Sequence, residues 1–250
     1  MYVFDRPSAR IMAAIGVIVF GLAQAGCGSG NGSSGGLSDD SDLVRSAGQE
    51  GSSGGNAGRV VFLGTSLTSG LGLNDPTHRF TDRIQALADL AELPFRMVNA
   101  GVSGDTSAGG VGRISWLLRA PVQVLVLELG ANDGIRGLPP DSMHANLQAV
   151  IDSTRAHYPG ARLLLAGMQA PPNLGPAYSS AFSSVFSDLA RANGGTLIPF
   201  LLEGVAGVPD LNQADGIHPT SEGHRMVAET IWAHLRPILE DLITEQRTDL

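Results

Sequence analysis

The chain has 250 residues and a formal net charge of −8, which is enough length for one domain with a sizeable core. Its acidic balance, and the lack of a basic patch or an RNA-type aromatic motif, argue against nucleic-acid binding. The single cysteine, Cys27, excludes an intrachain disulfide, and the sequence has no Cys/His cluster with zinc-site spacing.

The first element is a targeting segment, which we assign to residues 1–27. Arg6 and Arg10 precede an apolar stretch over 11–23 that has the length of a signal-peptide core and is short for a membrane span. Two cleavage sites compete. One follows Ala25 in the sequence AQA, and the other is a bacterial lipobox that ends at Cys27, which would then be lipidated. The position of Cys27 at the end of the apolar segment favours the lipoprotein, and the alternative stays open.

Residues 28–58 form the second segment and contain 10 glycines and 8 serines among 31 residues. This composition cannot build a core, so it predicts a flexible linker. The sequence GSSGG at 51–55 matches the nucleophile-elbow pattern G-x-S-x-G. That pattern needs a strand before it and a helix after it, so we treat the match as chance.

The third segment, 59–250, alternates short apolar runs with helical patterns. The runs predict five strands, at 59–63, 95–99, 122–128, 162–167 and 196–200. Amphipathic periodicity predicts helices between and after the strands, one of them over 178–192. The other four have inward-facing stripes at Phe80/Ile84/Leu87/Leu90, Ile114/Leu117/Leu118, Leu147/Val150/Ile151/Thr154 and Val227/Ile231/Leu235/Ile238/Leu242. Such alternation predicts an α/β fold, a parallel sheet with helices on both faces.

Polar, glycine-rich clusters follow four of these strands. They are GTS at 64–66, NAGVSGDTSAGG at 99–110, LGANDGIRGL at 129–138 and LNQADGIHPTSEGH at 211–224. Because the strands are parallel, all four clusters should lie at one edge of the sheet, where ligands bind in open α/β folds.

The residue types in these clusters suit nucleophilic catalysis. Ser66 is a weak nucleophile without a base, and His218 is suited to that role, with Asp215 three residues before it to orient the imidazole. Ser66 N–H, Gly104 N–H and the Asn132 amide can serve as oxyanion donors. Of the other histidines, His224 is the nearest rival to His218, but it lacks the aspartate and is interpreted as a packing residue. We interpret Asp133 as a loop buttress.

The four clusters resemble the four sequence blocks of the SGNH (GDSL-type) hydrolases, in particular their bacterial arylesterase, thioesterase I and lysophospholipase branch. The resemblance covers about residues 59–240. It implies a flavodoxin-like three-layer α/β/α sandwich with a five-stranded parallel sheet. It also implies Ser66 as nucleophile, His218 as base, Asp215 as its partner, and an oxyanion hole of Ser66, Gly104 and Asn132. The first block departs from the family, since Thr65 stands where aspartate is usual, which leaves the hydrogen bonding of that loop open.

The function implied is hydrolysis of small carboxylic esters, of aryl, short-chain acyl, thioester or lysophospholipid type, through an acyl-serine. No metal or cofactor is expected. A carbohydrate acetylesterase and a non-catalytic lipoprotein that binds acyl or glycan ligands are the alternatives. We expect an exported monomer that is periplasmic or held at an outer surface through Cys27, and otherwise secreted.

Overall fold

In the computed structural model, residues 57–248 are described. The predicted signal segment and all of the predicted linker except its last two residues lie outside that range. Gly58, the last linker residue, already belongs to the first strand. No helix within residues 57–248 has the length and apolar character needed to cross a membrane.

All five predicted strands are present and form one parallel sheet in the order β2-β1-β3-β4-β5. This confirms the predicted fold class. The prediction placed the start of the third strand two residues early and the end of the fifth two residues late. The strands are β1 Gly58–Gly64, β2 Phe95–Gly101, β3 Val124–Glu128, β4 Arg162–Ala166 and β5 Thr196–Ile198.

Seven α-helices accompany the strands in the described range. Three 3-10 turns, Pro76–His78, Pro172–Leu174 and Pro209–Leu211, lie in the connections. The helices are α1 Ser66–Ser69, α2 Phe80–Leu90, α3 Ser107–Leu117, α4 Ala131–Ile135, α5 Pro140–His157, α6 Pro176–Ala192 and α7 Ser221–Thr248.

The helices cover both faces of the sheet. Phe62 and Leu63 are successive residues of β1 and therefore point to opposite faces. The Phe62 ring lies 5.9 Å from that of Phe80 in α2, and α2 packs against α7. Leu63 points toward α3, where a Cβ added to Gly110 would lie 3.9 Å from its Cδ2. Helices α3, α5 and α6 pack in sequence on that side.

The predicted inward stripes are largely correct, with three exceptions. Leu90 was expected in the core, but it is 83% exposed, and Leu87 is only partly buried. The buried row of α2 runs through Phe80, Ile84 and Ala88 at spacings of four, which turns it away from Leu90 at the end of the helix. In α7 the same spacing of four buries Leu239 and leaves Ile238 only partly buried.

Candidate functional site

Ser66 is the first residue of helix α1, and only Thr65 separates it from the end of β1. The helix is one turn long because Gly70 follows it at a φ of +73°, in the left-handed region that favours glycine. The Gly70 N–H donates to the Ser66 carbonyl at 3.0 Å. This tight strand–turn–helix holds Ser66 at the carboxyl edge of the sheet.

His218 and Asp215 lie on the loop before α7 and reach Ser66 in an unbroken chain of hydrogen bonds. His218 Nε2 is 2.9 Å from Ser66 Oγ, and His218 Nδ1 is 2.7 Å from Asp215 Oδ2. A proton on Nδ1, shared with the carboxylate, leaves Nε2 as an acceptor for the serine hydroxyl. His218 is thus within hydrogen-bond distance of both Ser66 and Asp215, the two residues predicted to act with it.

The Asp215 carboxylate is fixed by its own loop. Its Oδ1 accepts the N–H groups of Ile217 at 3.0 Å and His218 at 3.1 Å, in a turn that Gly216 permits with a φ of +75°. The hydrogen bond from the His218 side chain, followed by these two backbone bonds, lowers the pKa of Asp215 to about 2. The group is therefore ionised at neutral pH and can stabilise an imidazolium.

Gly104 lies on the loop that follows β2, and Asn132 is the second residue of helix α4, shortly after β3. Asn132 Nδ2 donates to the carbonyl of Asp105 at 2.9 Å, which joins α4 directly to the loop that follows β2. Gly104 adopts a φ of +80°, and its carbonyl accepts from Arg136 Nη2 at 2.8 Å. In the described part of the chain, neither Gly104 N–H nor Ser66 N–H has a hydrogen-bond acceptor.

The Gly104 loop is also tied to the turn that carries Ser66. Val102 N–H donates to the Gly64 carbonyl at 3.0 Å, and Ser103 Oγ is 2.9 Å from Ser69 Oγ on α1. All the predicted site residues therefore lie at one edge of the sheet, in the segments that follow the strands. This is the arrangement expected from parallel strands that carry polar clusters at their carboxyl ends.

Sequence analysis did not single out Glu128, the last residue of β3. Its side chain is 1% exposed and accepts hydrogen bonds from the backbone and the hydroxyls of Thr65 and Thr68. Burial raises the pKa of the Glu128 carboxyl, while these hydrogen bonds act in the opposite direction. The sequence feature that could have indicated this residue is a carboxylate at the end of an otherwise apolar strand.

Sequence analysis did not single out Arg113 either, although it is the one charged residue in the sequence of α3. Its guanidinium pairs with Asp105 at 2.7 Å and donates to the carbonyls of Ala100 at 2.6 Å and Gly64 at 2.8 Å. It therefore joins the ends of β1 and β2 to the loop that carries Gly104.

The remaining two candidates have the structural roles that the sequence interpretation gave them, His224 in packing and Asp133 in supporting a loop. His224 is 1% exposed and stacks on Phe80 at 5.8 Å. Burial, and to a smaller extent the charges of Arg83 and His218, lower the pKa of His224 to about 4. Asp133 is buried and accepts the N–H and the hydroxyl of Ser107 at 2.8 and 2.6 Å.

Comparison with known proteins agrees with the family resemblance of the four sequence blocks. Residues 62–226 match the model of the GDSL-like lipase/acylhydrolase family. The chain is 41% identical over 181 residues to esterase TesA of Pseudomonas aeruginosa, covering 72% of this chain and 89% of that protein. It is 37% identical over 185 residues to thioesterase 1/protease 1/lysophospholipase L1 of Escherichia coli, covering 73% and 86%.

Solved structures agree with the sequence matches. The crystal structure of TesA superposes with a TM-score of 0.68 at 41% identity, covering 72% of this chain and 99% of that one. The family match, residues 62–226, contains the four segments that carry the predicted site residues.

Proposed function

Because the chain belongs to the GDSL-like lipase/acylhydrolase family, and is a serine esterase, we propose that it hydrolyses ester bonds through an acyl-enzyme intermediate on Ser66. The observation that carries this assignment is the hydrogen-bonded series Ser66 Oγ, His218 Nε2, His218 Nδ1 and Asp215 Oδ2, with links of 2.9 and 2.7 Å. A serine with a base on its hydroxyl, and a third group that orients the base, is the pattern of an activated nucleophile.

In the acylation step, Ser66 Oγ forms a bond to the ester carbonyl carbon while His218 Nε2 takes the hydroxyl proton. The imidazolium is stabilised by the Asp215 carboxylate. The tetrahedral intermediate then collapses, the bond to the leaving oxygen or sulfur breaks, and His218 Nε2 gives its proton to that atom. Ser66 is left as an acyl ester.

Deacylation repeats these steps with water as the nucleophile. His218 Nε2 takes a proton from the water as its oxygen attacks the acyl carbon. Collapse of the second intermediate returns the proton to Ser66 Oγ and releases the carboxylic acid. The imidazole and the hydroxyl end as they began, so the chemistry that we propose is complete with this chain's own groups.

We assign the oxyanion hole to Ser66 N–H, Gly104 N–H and the Asn132 amide. Two observations support this. Both N–H groups are without an acceptor among residues 57–248, and Asn132 uses one of its two amide hydrogens on the Asp105 carbonyl, which leaves the second for a ligand. Donors fixed in advance stabilise the negative charge that develops on the carbonyl oxygen.

The substrates that we propose are small esters with aryl or short acyl groups, together with thioesters and lysophospholipids. The names of the relatives, an esterase and a thioesterase/lysophospholipase, favour these classes over acetylated carbohydrates. They also favour catalysis over a non-catalytic binding role.

A panel of esters tests the function. We expect residues 57–248 to release p-nitrophenol from p-nitrophenyl acetate through decanoate, and to hydrolyse these faster than acetylated xylan. A fluorophosphonate probe should leave one adduct, on Ser66, in a peptide map. The assignment is wrong if a folded sample hydrolyses no ester in the panel and takes up no probe.

Light scattering on the same sample should give the mass of a monomer, which we propose because every site residue comes from one chain.

We further propose that the enzyme is exported and anchored to a membrane through Cys27. Support comes from the apolar segment that precedes this cysteine and from the Gly/Ser-rich segment that follows it. Cells fed an alkyne fatty acid should incorporate the label into the full-length chain, whereas the Cys27→Ser chain should stay unlabelled. Equal labelling of the two chains contradicts the anchor, and cleavage after Ala25 with no label indicates secretion.

A further inference from the structure

The buried carboxylate of Glu128 lies directly beside the nucleophile turn, and the reaction steps above leave it without a role. Oε2 accepts Thr65 N–H at 2.9 Å, Thr68 N–H at 3.2 Å and the Thr68 hydroxyl at 2.7 Å. Oε1 accepts the Thr65 hydroxyl at 3.0 Å. Four donors from the two residues that flank Ser66 and Leu67 therefore converge on one side chain.

These contacts replace the normal capping of a helix start. The first N–H groups of a helix lack acceptors within the helix, and the side chain of the preceding residue usually satisfies one of them. Thr65 precedes α1 but makes no such capping bond. Glu128 instead accepts the N–H of Thr68, the third residue of the helix, and the N–H of Thr65. The Ser66 N–H lies between them and has no acceptor within residues 57–248.

The carboxylate lies close against the backbone at the end of β1. Glu128 pairs with Gly64 in the register of β1 and β3. A Cβ added to Gly64 would lie 2.0 Å from Thr68 Oγ1 and 2.5 Å from Glu128 Oε2. The glycine is therefore required for the close approach of the carboxylate to the turn. Sheet register, glycine and the four donors together fix where the turn can lie.

We propose that Glu128 is the positioning residue of the nucleophile turn, which holds Ser66 Oγ toward His218 and keeps the Ser66 N–H free for the oxyanion. The proposal rests on the function assigned above. It also answers the question raised by Thr65, which stands where aspartate is usual in this block. The Thr65 hydroxyl donates to Glu128, whereas a carboxylate there would place a second negative charge against the first and would need a shared proton.

The test compares Glu128→Gln with Glu128→Met. Glutamine keeps an oxygen for the two N–H groups and the Thr68 hydroxyl, and its NH2 can donate to the Thr65 hydroxyl. Methionine has a similar volume and no oxygen. We expect Glu128→Gln to keep kcat for p-nitrophenyl acetate within about tenfold. Glu128→Met should lower kcat by about 10²-fold, the size of effect that misplacing a reacting group produces, with KM changed little.

Two further readouts make the result decisive. Amide exchange at Thr65 and Thr68 should accelerate in Glu128→Met and not in Glu128→Gln, a change that can be measured even without a substrate. If the methionine variant does not fold, Thr68→Val is compared with Thr68→Ser, and only the valine variant should lose kcat. The wild-type and Ser66→Ala rates on the same ester test the proposed function separately. With those rates as expected, either of two results overturns the positioning role. One is a folded Glu128→Met protein whose kcat equals that of the wild type. The other is an equal kcat for Thr68→Val and Thr68→Ser.

Discussion

Replacement of Ser66 by alanine is expected to lower kcat for p-nitrophenyl acetate by about 10⁴–10⁶-fold, which is the loss typical of removing the nucleophile of a catalytic triad. The substitution removes the atom that bonds to the acyl carbon and leaves the loops around it in place. Ser66 N–H, Gly104 N–H and Asn132 remain available to the carbonyl oxygen. The residual activity that we expect therefore reflects oxyanion stabilisation without covalent catalysis. Initial rates at saturating ester, with burst kinetics for the wild type, measure the effect.

Ser69→Ala is the matched control for this change. Ser69 lies on the same one-turn helix, and its hydroxyl donates to the Ser66 carbonyl and pairs with Ser103 without reaching His218. Its loss should change kcat by less than about tenfold, because it removes only two hydrogen bonds between partly exposed groups. A Ser66→Ala protein that turns over as fast as Ser69→Ala would eliminate Ser66 as the nucleophile.

Replacement of His218 by alanine should lower kcat by a similar factor, about 10⁴–10⁶-fold. Without the imidazole, the Ser66 hydroxyl has no acceptor for its proton, and the leaving group has no donor. Residues that act as a unit are not additive, so the double variant Ser66→Ala/His218→Ala should be no slower than either single variant. Steady-state rates for the three proteins on one ester measure both expectations.

His224→Gln provides the matched control for the base. His224 is buried on Phe80, and its Nδ1 accepts the Phe80 N–H at 3.3 Å, so glutamine can keep that acceptor. We expect this variant to be less stable but to retain kcat within about tenfold, since its contacts stabilise the fold rather than the reacting groups. If His224→Gln lost as much kcat as His218→Ala while remaining folded, the assignment of the base would have to change.

The two substitutions at the nucleophile and the base also separate this site from the positioning role of Glu128. They remove atoms that form or break bonds, whereas Glu128→Met leaves Ser66 and His218 intact and alters only where the turn lies. We therefore expect the loss for Glu128→Met to be smaller by at least about tenfold, since misplacement lowers a rate less than removal of the reacting group does.

Much of the architecture follows from local sequence patterns. The apolar run that becomes β3 is buried at all five positions, as expected for a central parallel strand covered on both faces. The α5 stripe of Leu147, Val150, Ile151 and Thr154 is buried as predicted. The stripe of α2 was extended to Leu90 in error, because the prediction continued at spacings of three, whereas the buried row runs through Phe80, Ile84 and Ala88 at spacings of four.

By itself, the sequence determined which residues of the candidate site could come together. Ser66, Gly104, Asn132 and His218 each follow a strand, and parallel strands bring their carboxyl ends to one edge of a sheet. Asp215 belongs with them because it is three residues from His218, within reach of a local hydrogen bond. These placements depend on chain order and short spacings, which a sequence displays directly.

Only the tertiary structure decided what holds the nucleophile turn. Glu128 and Thr65 are 63 residues apart, and their contact depends on the register that pairs Gly64 with Glu128. Neither residue predicts the other, since strand register is set by packing across the whole sheet. A carboxylate at the end of an apolar strand could equally have faced solvent. It becomes a buried acceptor because the adjacent turn supplies four donors that offset the cost of removing it from water.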